Sequence, residues 1–107
     1  MAKRKRRVAP RSYYSLTEVV QKINNGQVLI RSNAVRDAFQ LFGWRLSDIE
    51  GAYRKLQPKH FYKTSVSKAK ARVYLDFYKA AINGERIYTH FYINDESTLV
   101  INSFKRQ

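Results

Sequence analysis

At 107 residues and 44% hydrophobic content, the chain can build one modest core but not two. No apolar run approaches a membrane span, no apolar stretch follows the basic start as a signal peptide requires, and zero cysteines exclude disulfides and thiol catalysis. The formal charge of +13 favours a phosphate-bearing partner, although an acidic protein would satisfy the same charge, and two histidines with eight acids make a zinc site or other bound cofactor unexpected.

Residues 1–12 read as a basic disordered arm, with Lys3, Arg4, Lys5, Arg6, Arg7 and Arg11 and no acid. Six unopposed cations suit RNA phosphates. The remaining residues, 13–107, form a single domain that still holds fifteen cations against all eight acids, so it is basic in its own right.

Ser15-Leu16-Thr17-Glu18 is a capping-box pattern that opens a first helix, with Leu16, Val19, Val20 and Ile23 on its apolar stripe and Gly26 at its end. Val28-Leu29-Ile30 is a short strand or an extended link. Ser32 or Asn33 caps a second helix that would bury Val35, Ala38, Phe39 and Phe42 before Gly43 breaks it. Ser47-Asp48-Ile49-Glu50 is a second capping box, followed by the stripe Ile49, Ala52, Tyr53 and Leu56, and Pro58 stops that third helix.

After Pro58 the hydrophobic period changes to two. Val73, Leu75 and Phe77 share one face and Tyr74, Asp76 and Tyr78 the other, which makes the aromatic set a candidate to meet substrate. Asn83-Gly84 is a hairpin signal, and the returning strand alternates Ile87, Thr89, Phe91 and Ile93 with Tyr88, His90 and Tyr92. A turn at residues 94–97 leads to a last strand from Thr98 to Lys105, where the face of Lys105 is not fixed by parity because Leu99, Val100 and Ile101 are all apolar. The expected fold class is α+β: three N-terminal helices packed on one face of a C-terminal antiparallel β-sheet.

No Gly-rich phosphate loop, serine triad or carboxylate pair for two metals is present. Nuclease chemistry here would have to be metal-independent, built on cations, phenols and imidazole, which RNA permits because its 2′-hydroxyl is an internal nucleophile. Lysines can stabilise charge on the phosphorane. His90 and, less readily, His60 are acid–base candidates by their ordinary pKa, although a lone strand histidine is more often a packing residue. Tyr74, Tyr78 and Tyr92 are candidates to stack bases, and Tyr62, Arg72 and Arg106 to touch substrate.

The order His60-Phe61-Tyr62-Lys63-Thr64, Tyr74-x-Asp76-x-Tyr78, Tyr88 and Ser103-Phe104-Lys105 resembles the MqsR (motility quorum-sensing regulator) toxins, from about Tyr14 to Arg106. The resemblance implies a RelE-like fold and a bacterial, cytoplasmic type II toxin that cuts single-stranded mRNA without the ribosome at short GC-containing sites. It also implies a cognate MqsA-like antitoxin with a zinc-binding domain and a helix-turn-helix domain. The family's catalytic positions fall on Lys63, Tyr88 and Lys105. One position departs: the usual Trp-Gln-Asp is here Tyr74-Leu75-Asp76, so Leu75 replaces an active-site glutamine.

A metal-independent endoribonuclease toxin is therefore the leading expectation. The rivals are a non-catalytic RNA- or DNA-binding protein that uses the arm and the tyrosine-rich face, and a regulator that binds an acidic partner. Salt dependence separates nucleic-acid binding from bland surface charge, and only cleavage separates enzyme from binder.

Overall fold

A computed structural model describes residues 11–70 and 72–107, so of the arm cations only Arg11, which is exposed, falls within it; Lys3, Arg4, Lys5, Arg6 and Arg7 lie outside the described residues. The chain runs α1 (Leu16–Asn24), β1 (Val28–Ile30), α2 (Ser32–Phe42), α3 (Leu46–Arg54), a 3-10 turn at Pro58–His60, then β2 (Phe61–Val66), β3 (Tyr74–Ile82), β4 (Glu85–Ile93) and β5 (Leu99–Arg106). One sheet forms in the order β1-β5-β4-β3-β2. The four later strands make the expected antiparallel meander, and β1 joins the edge parallel to β5. The fold is thus α+β with the helices preceding the meander. No helix is long and apolar enough to cross a membrane among the described residues.

Local signals explain most element ends. The Ser15 hydroxyl accepts from the amides of Thr17 and Glu18 at the start of α1. Gly43 closes α2 at φ 73°. Asn83 and Gly84 both take positive φ, 53° and 81°, so the β3–β4 turn is of the mirror-image kind that matches strand twist. The start of α3 differs from the expectation. Helix begins at Leu46 rather than after Ser47, and the Asp48 carboxylate accepts from the backbone N–H of Arg45 at 2.9 Å. Asp48 therefore satisfies an orphan amide from inside the first turn.

The helices cover one face of the sheet. Val19 and Ile23 of α1, Ala34 and Ala38 of α2, and Ile49, Ala52 and Tyr53 of α3 form one cluster with Tyr78, Ile87, Phe91, Leu99, Ile101 and Phe104 of the strands. In α2 the buried stripe is rotated from the expected one. Ala34 and Ala38 are fully buried, Val35 and Phe42 half-buried, and Phe39 is 55% exposed. Two alanines four residues apart let the helix backbone sit close on β5, which turns Phe39 outward. Within the core, the Tyr53 hydroxyl lies 2.7 Å from Thr89 Oγ1, which donates to the Ser103 carbonyl at 2.7 Å, so this buried polar pair is satisfied.

The faces of β3 are the reverse of what its aromatic pattern suggested. Asp76, Tyr78, Ala80 and Ile82 are buried under the helices, whereas Leu75, Phe77 and Lys79 lie half-exposed on the open face. A fully buried carboxylate needs partners, and Asp76 has them. It accepts from the backbone N–H of Tyr13 at 3.0 Å, from that of Tyr14 at 2.8 Å, and from the Thr64 hydroxyl. Tyr13 also stacks on Tyr74 with centroids 4.6 Å apart, and the Tyr14 hydroxyl donates to the Tyr74 carbonyl at 2.8 Å. The segment just before α1 is thereby fastened to β3 from the helix side.

Candidate active site on the open face of the sheet

Two irregularities in strand pairing shape the open face. In β2 the register skips between Phe61, paired with Tyr78, and Lys63, paired with Phe77. Tyr62 is the extra residue, and its ring comes beside Tyr88, centroid to centroid 6.0 Å. A bulge thus brings Tyr62 and Lys63 together on the open face, where strict alternation would have separated them. The second irregularity lies opposite His90 and Phe91, which pair with Ser103 and Ile101 and leave Asn102 unpaired on β5. Its side-chain amide turns to His90, with Nδ2 2.7 Å from Nε2, and its backbone carbonyl accepts from Asn33 of α2 at 3.0 Å.

Cross-strand register then sets out two adjacent rows. The first is Lys63, Phe77, His90 and Ser103, and the second is Lys79, Tyr88 and Lys105. Both lysines on the β2 side pack on one phenol ring. Lys79 Nζ lies 3.8 Å from the Tyr62 centroid and Lys63 Nζ 5.7 Å from it, while Lys79 is also 5.5 Å from the Tyr88 ring and Lys63 5.0 Å from Phe77. Cation–π contact holds these ammoniums over ring faces and leaves their N–H groups to reach an anion. Lys105 is exposed beside Tyr88.

The charges are not balanced locally. The described ion pairs are Arg36 with Asp37 and Arg106 with Glu85, neither of them in these rows. Burial, and then Tyr62, push the Tyr88 hydroxyl above its usual range, so the phenol is a proton donor at neutral pH. His90 packs against Phe77 at 4.4 Å and is pushed down from 6.5 to about 4 by burial first and by Lys105 second. It is a neutral imidazole at physiological pH. Among the described residues no cluster of three or more His, Cys, Asp or Glu side chains could hold a metal ion.

Lys63, Tyr88, Lys105, His90 and Tyr62 are therefore brought together, and the other sequence candidates are not. Tyr78 is fully buried between Phe61 and Phe91 and cannot stack a base. Tyr74 carries Tyr13 on its ring. Tyr92 is 6% exposed and accepts from Arg31 Nη2 at 3.0 Å through its hydroxyl. Arg106 is spent on Glu85, the Leu41 carbonyl and the Phe42 ring. Arg72 is exposed before β3, with φ 66°. His60 accepts from the Gln57 N–H through Nδ1 at 3.0 Å and closes the 3-10 turn, and burial with Lys59 lowers its pKa.

A family model described as motility quorum-sensing regulator, toxin of MqsA, matches residues 11–106. The chain belongs to the MqsR toxin family. Comparison with individual curated proteins gives no match. In this MqsR chain the aspartate of Tyr74-Leu75-Asp76 is the clasp of the N-terminal segment under the helices, and Leu75 is on the open face beside the rows. Two further residues of the site escaped the sequence reading. Lys79 is not among the sequence candidates, because taking Tyr74, Asp76 and Tyr78 as the substrate face turns Phe77 and its neighbours away from it, although the continuation to Ala80 and Ile82 carries the correct phase. Asn102 had no signal, because a bulge depends on what the partner strand does.

Proposed function

We propose that this MqsR-family protein is a RelE-like, ribosome-independent endoribonuclease that cleaves single-stranded mRNA in the cytoplasm by attack of the 2′-hydroxyl. The observation that carries this reading is the grouping of Lys63, Lys79 and Lys105 around Tyr88 on a sheet face without a carboxylate in either row. The 2′-oxygen forms a bond to phosphorus, the bond from phosphorus to the 5′-oxygen breaks, one proton leaves the 2′-hydroxyl and one reaches the 5′-oxygen. Lys63 and Lys105 stabilise the added charge on the phosphorane, which is worth most where donors are preset around it. Tyr88, held protonated, orients the phosphate or supplies a proton. Tyr62 and Phe77 offer ring faces to bases. Neutralisation by an MqsA-type antitoxin with a zinc-binding domain and a helix-turn-helix domain belongs to the same reading.

End-labelled RNA, its counterpart with one 2′-deoxy nucleotide at the cleavage site, and mass analysis of the fragments test the chemistry. The expected products carry a 2′,3′-cyclic phosphate (or the 3′-phosphate from its hydrolysis) and a 5′-hydroxyl, persist in excess EDTA, and do not form from the deoxy substrate. Cutting of the deoxy strand, or 5′-phosphate products that vanish with EDTA, overturns the mechanism. Tight binding with no cutting of any RNA makes the protein a nucleic-acid binder instead.

A further inference from the structure

Beside the two rows the open face sinks into a pocket of about 310 Å³, bounded by Arg31, Lys70, Val73, Leu75, Tyr92 and Asn102 among others. That is within the roughly 300–1,000 Å³ of small-ligand sites. None of its lining residues is acidic. Leu75 stands two residues from Phe77 on the same face of β3, Tyr92 two residues from His90 on β4, and Asn102 bonds His90 directly. Two residues of strand span about 6.6 Å, so the pocket adjoins the cleavage rows at roughly one nucleotide's remove.

We propose that this pocket is a nucleotide subsite, which takes the RNA nucleotide next to the scissile phosphate. Three features suit that ligand. The Arg31 guanidinium is steadied by the Tyr92 hydroxyl through one Nη and has its other N–H groups for a phosphate, to which its planar fork is matched. Leu75 and Val73 supply an apolar wall for a base face. Asn102 gives one N–H to His90 and keeps its carbonyl oxygen and second N–H, an acceptor and a donor side by side, for a base edge. The bulge that aims Asn102 therefore serves the row and the pocket at once. A leucine wall at this point takes a base by its face, so the subsite contributes to cleavage-site preference as well as to affinity.

This inference rests on the reading of the face as an RNA site, but its test is a binding measurement that does not need cleavage. A fluorescent single-stranded RNA with a 2′-deoxy nucleotide at the cleavage position is titrated with wild type, Arg31→Ala, Leu75→Trp, and Lys59→Ala as an exposed cation on a different groove. The expected result is about tenfold weaker binding for Arg31→Ala and for Leu75→Trp, within twofold for Lys59→Ala, and loss of the preference for one flanking base in Leu75→Trp. Arg31 is exposed, so its variant folds and carries the test even if the tryptophan is not tolerated. Wild-type affinity in Arg31→Ala overturns the subsite, and so does an equal loss in Lys59→Ala, which would mark bulk charge. Should wild type cut no RNA in the parallel all-ribose titration, the proposed chemistry falls, while the binding data still judge the pocket.

Discussion

Replacing Asp76 by alanine should cost about 3 kcal/mol of folding stability without touching the chemistry. The carboxylate is fully buried and accepts from two backbone amides, of Tyr13 and Tyr14, and from the Thr64 hydroxyl. A hydrogen bond to a charged group contributes roughly 1.5–3 kcal/mol, but deleting the carboxylate also relieves the cost of burying it, so the bonds do not sum. Against a total of about 5–15 kcal/mol for a domain of this size, the loss is large. Trp44, the only tryptophan and 6% exposed, reports unfolding in a urea titration. Asp76→Asn retains one acceptor and should lose less. Release of the clasp should also speed chymotryptic cutting after Tyr13 and Tyr14, while single-turnover cleavage of RNA by the still-folded variant in the cold persists. A loss below about 0.5 kcal/mol in Asp76→Ala, or abolished cleavage in a variant that remains folded, would refute the assignment of this aspartate to structure.

Lys63→Ala, Lys105→Ala and Tyr88→Phe should each lower cleavage by about 10²-fold with unchanged circular dichroism, the scale of losing one charge-stabilising donor; wild-type turnover in all three contradicts the site. Lys79→Met, which keeps the stem on Tyr62 but removes the charge, should weaken RNA binding and flatten its salt dependence by about 0.7 in log–log slope, read by anisotropy. Leu75→Gln should alter cleavage-site preference in sequencing of RNA fragments and cost about 1 kcal/mol or less, since Leu75 is only half-buried on the open face. Because the pKa of His90 is lowered in the fold from 6.5 to about 4, the unfolded chain binds the extra proton first, so stability is full above pH 6.5 and falls as pH drops towards 4. The ring is partly open to solvent, which reduces the expected loss to about 1–2 kcal/mol, and His90→Gln should flatten the denaturation profile across that window. Deleting residues 2–10 should flatten the salt dependence of RNA binding and leave cleavage at saturating RNA intact, as gel-resolved single-turnover assays would show.

What the amino-acid sequence determined by itself is what depends on near neighbours. Ser15 caps α1 and Gly43 ends α2 because caps act within one turn. Asn83-Gly84 makes its hairpin because two positive φ angles suit those residues. The alternation on β4 set Ile87, Thr89 and Phe91 inward and Tyr88 and His90 outward, so the middle of the site was readable. The basic, acid-poor composition pointed to a polyanion, and the short motifs around Lys63, Tyr88 and Lys105 to the family. Tertiary structure alone decided the rest. Ala80 and Ile82 hint at the phase of β3, but burial of Asp76 on that face turns on partners that include Tyr13 and Tyr14, more than sixty positions away in the chain. The bulges at Tyr62 and Asn102 exist only relative to the partner strands, yet they bring Lys63, Lys79, Tyr62 and Tyr88 into contact and join His90 to the pocket under Arg31. A strand has period two only while its register is unbroken, and both breaks fall in the site.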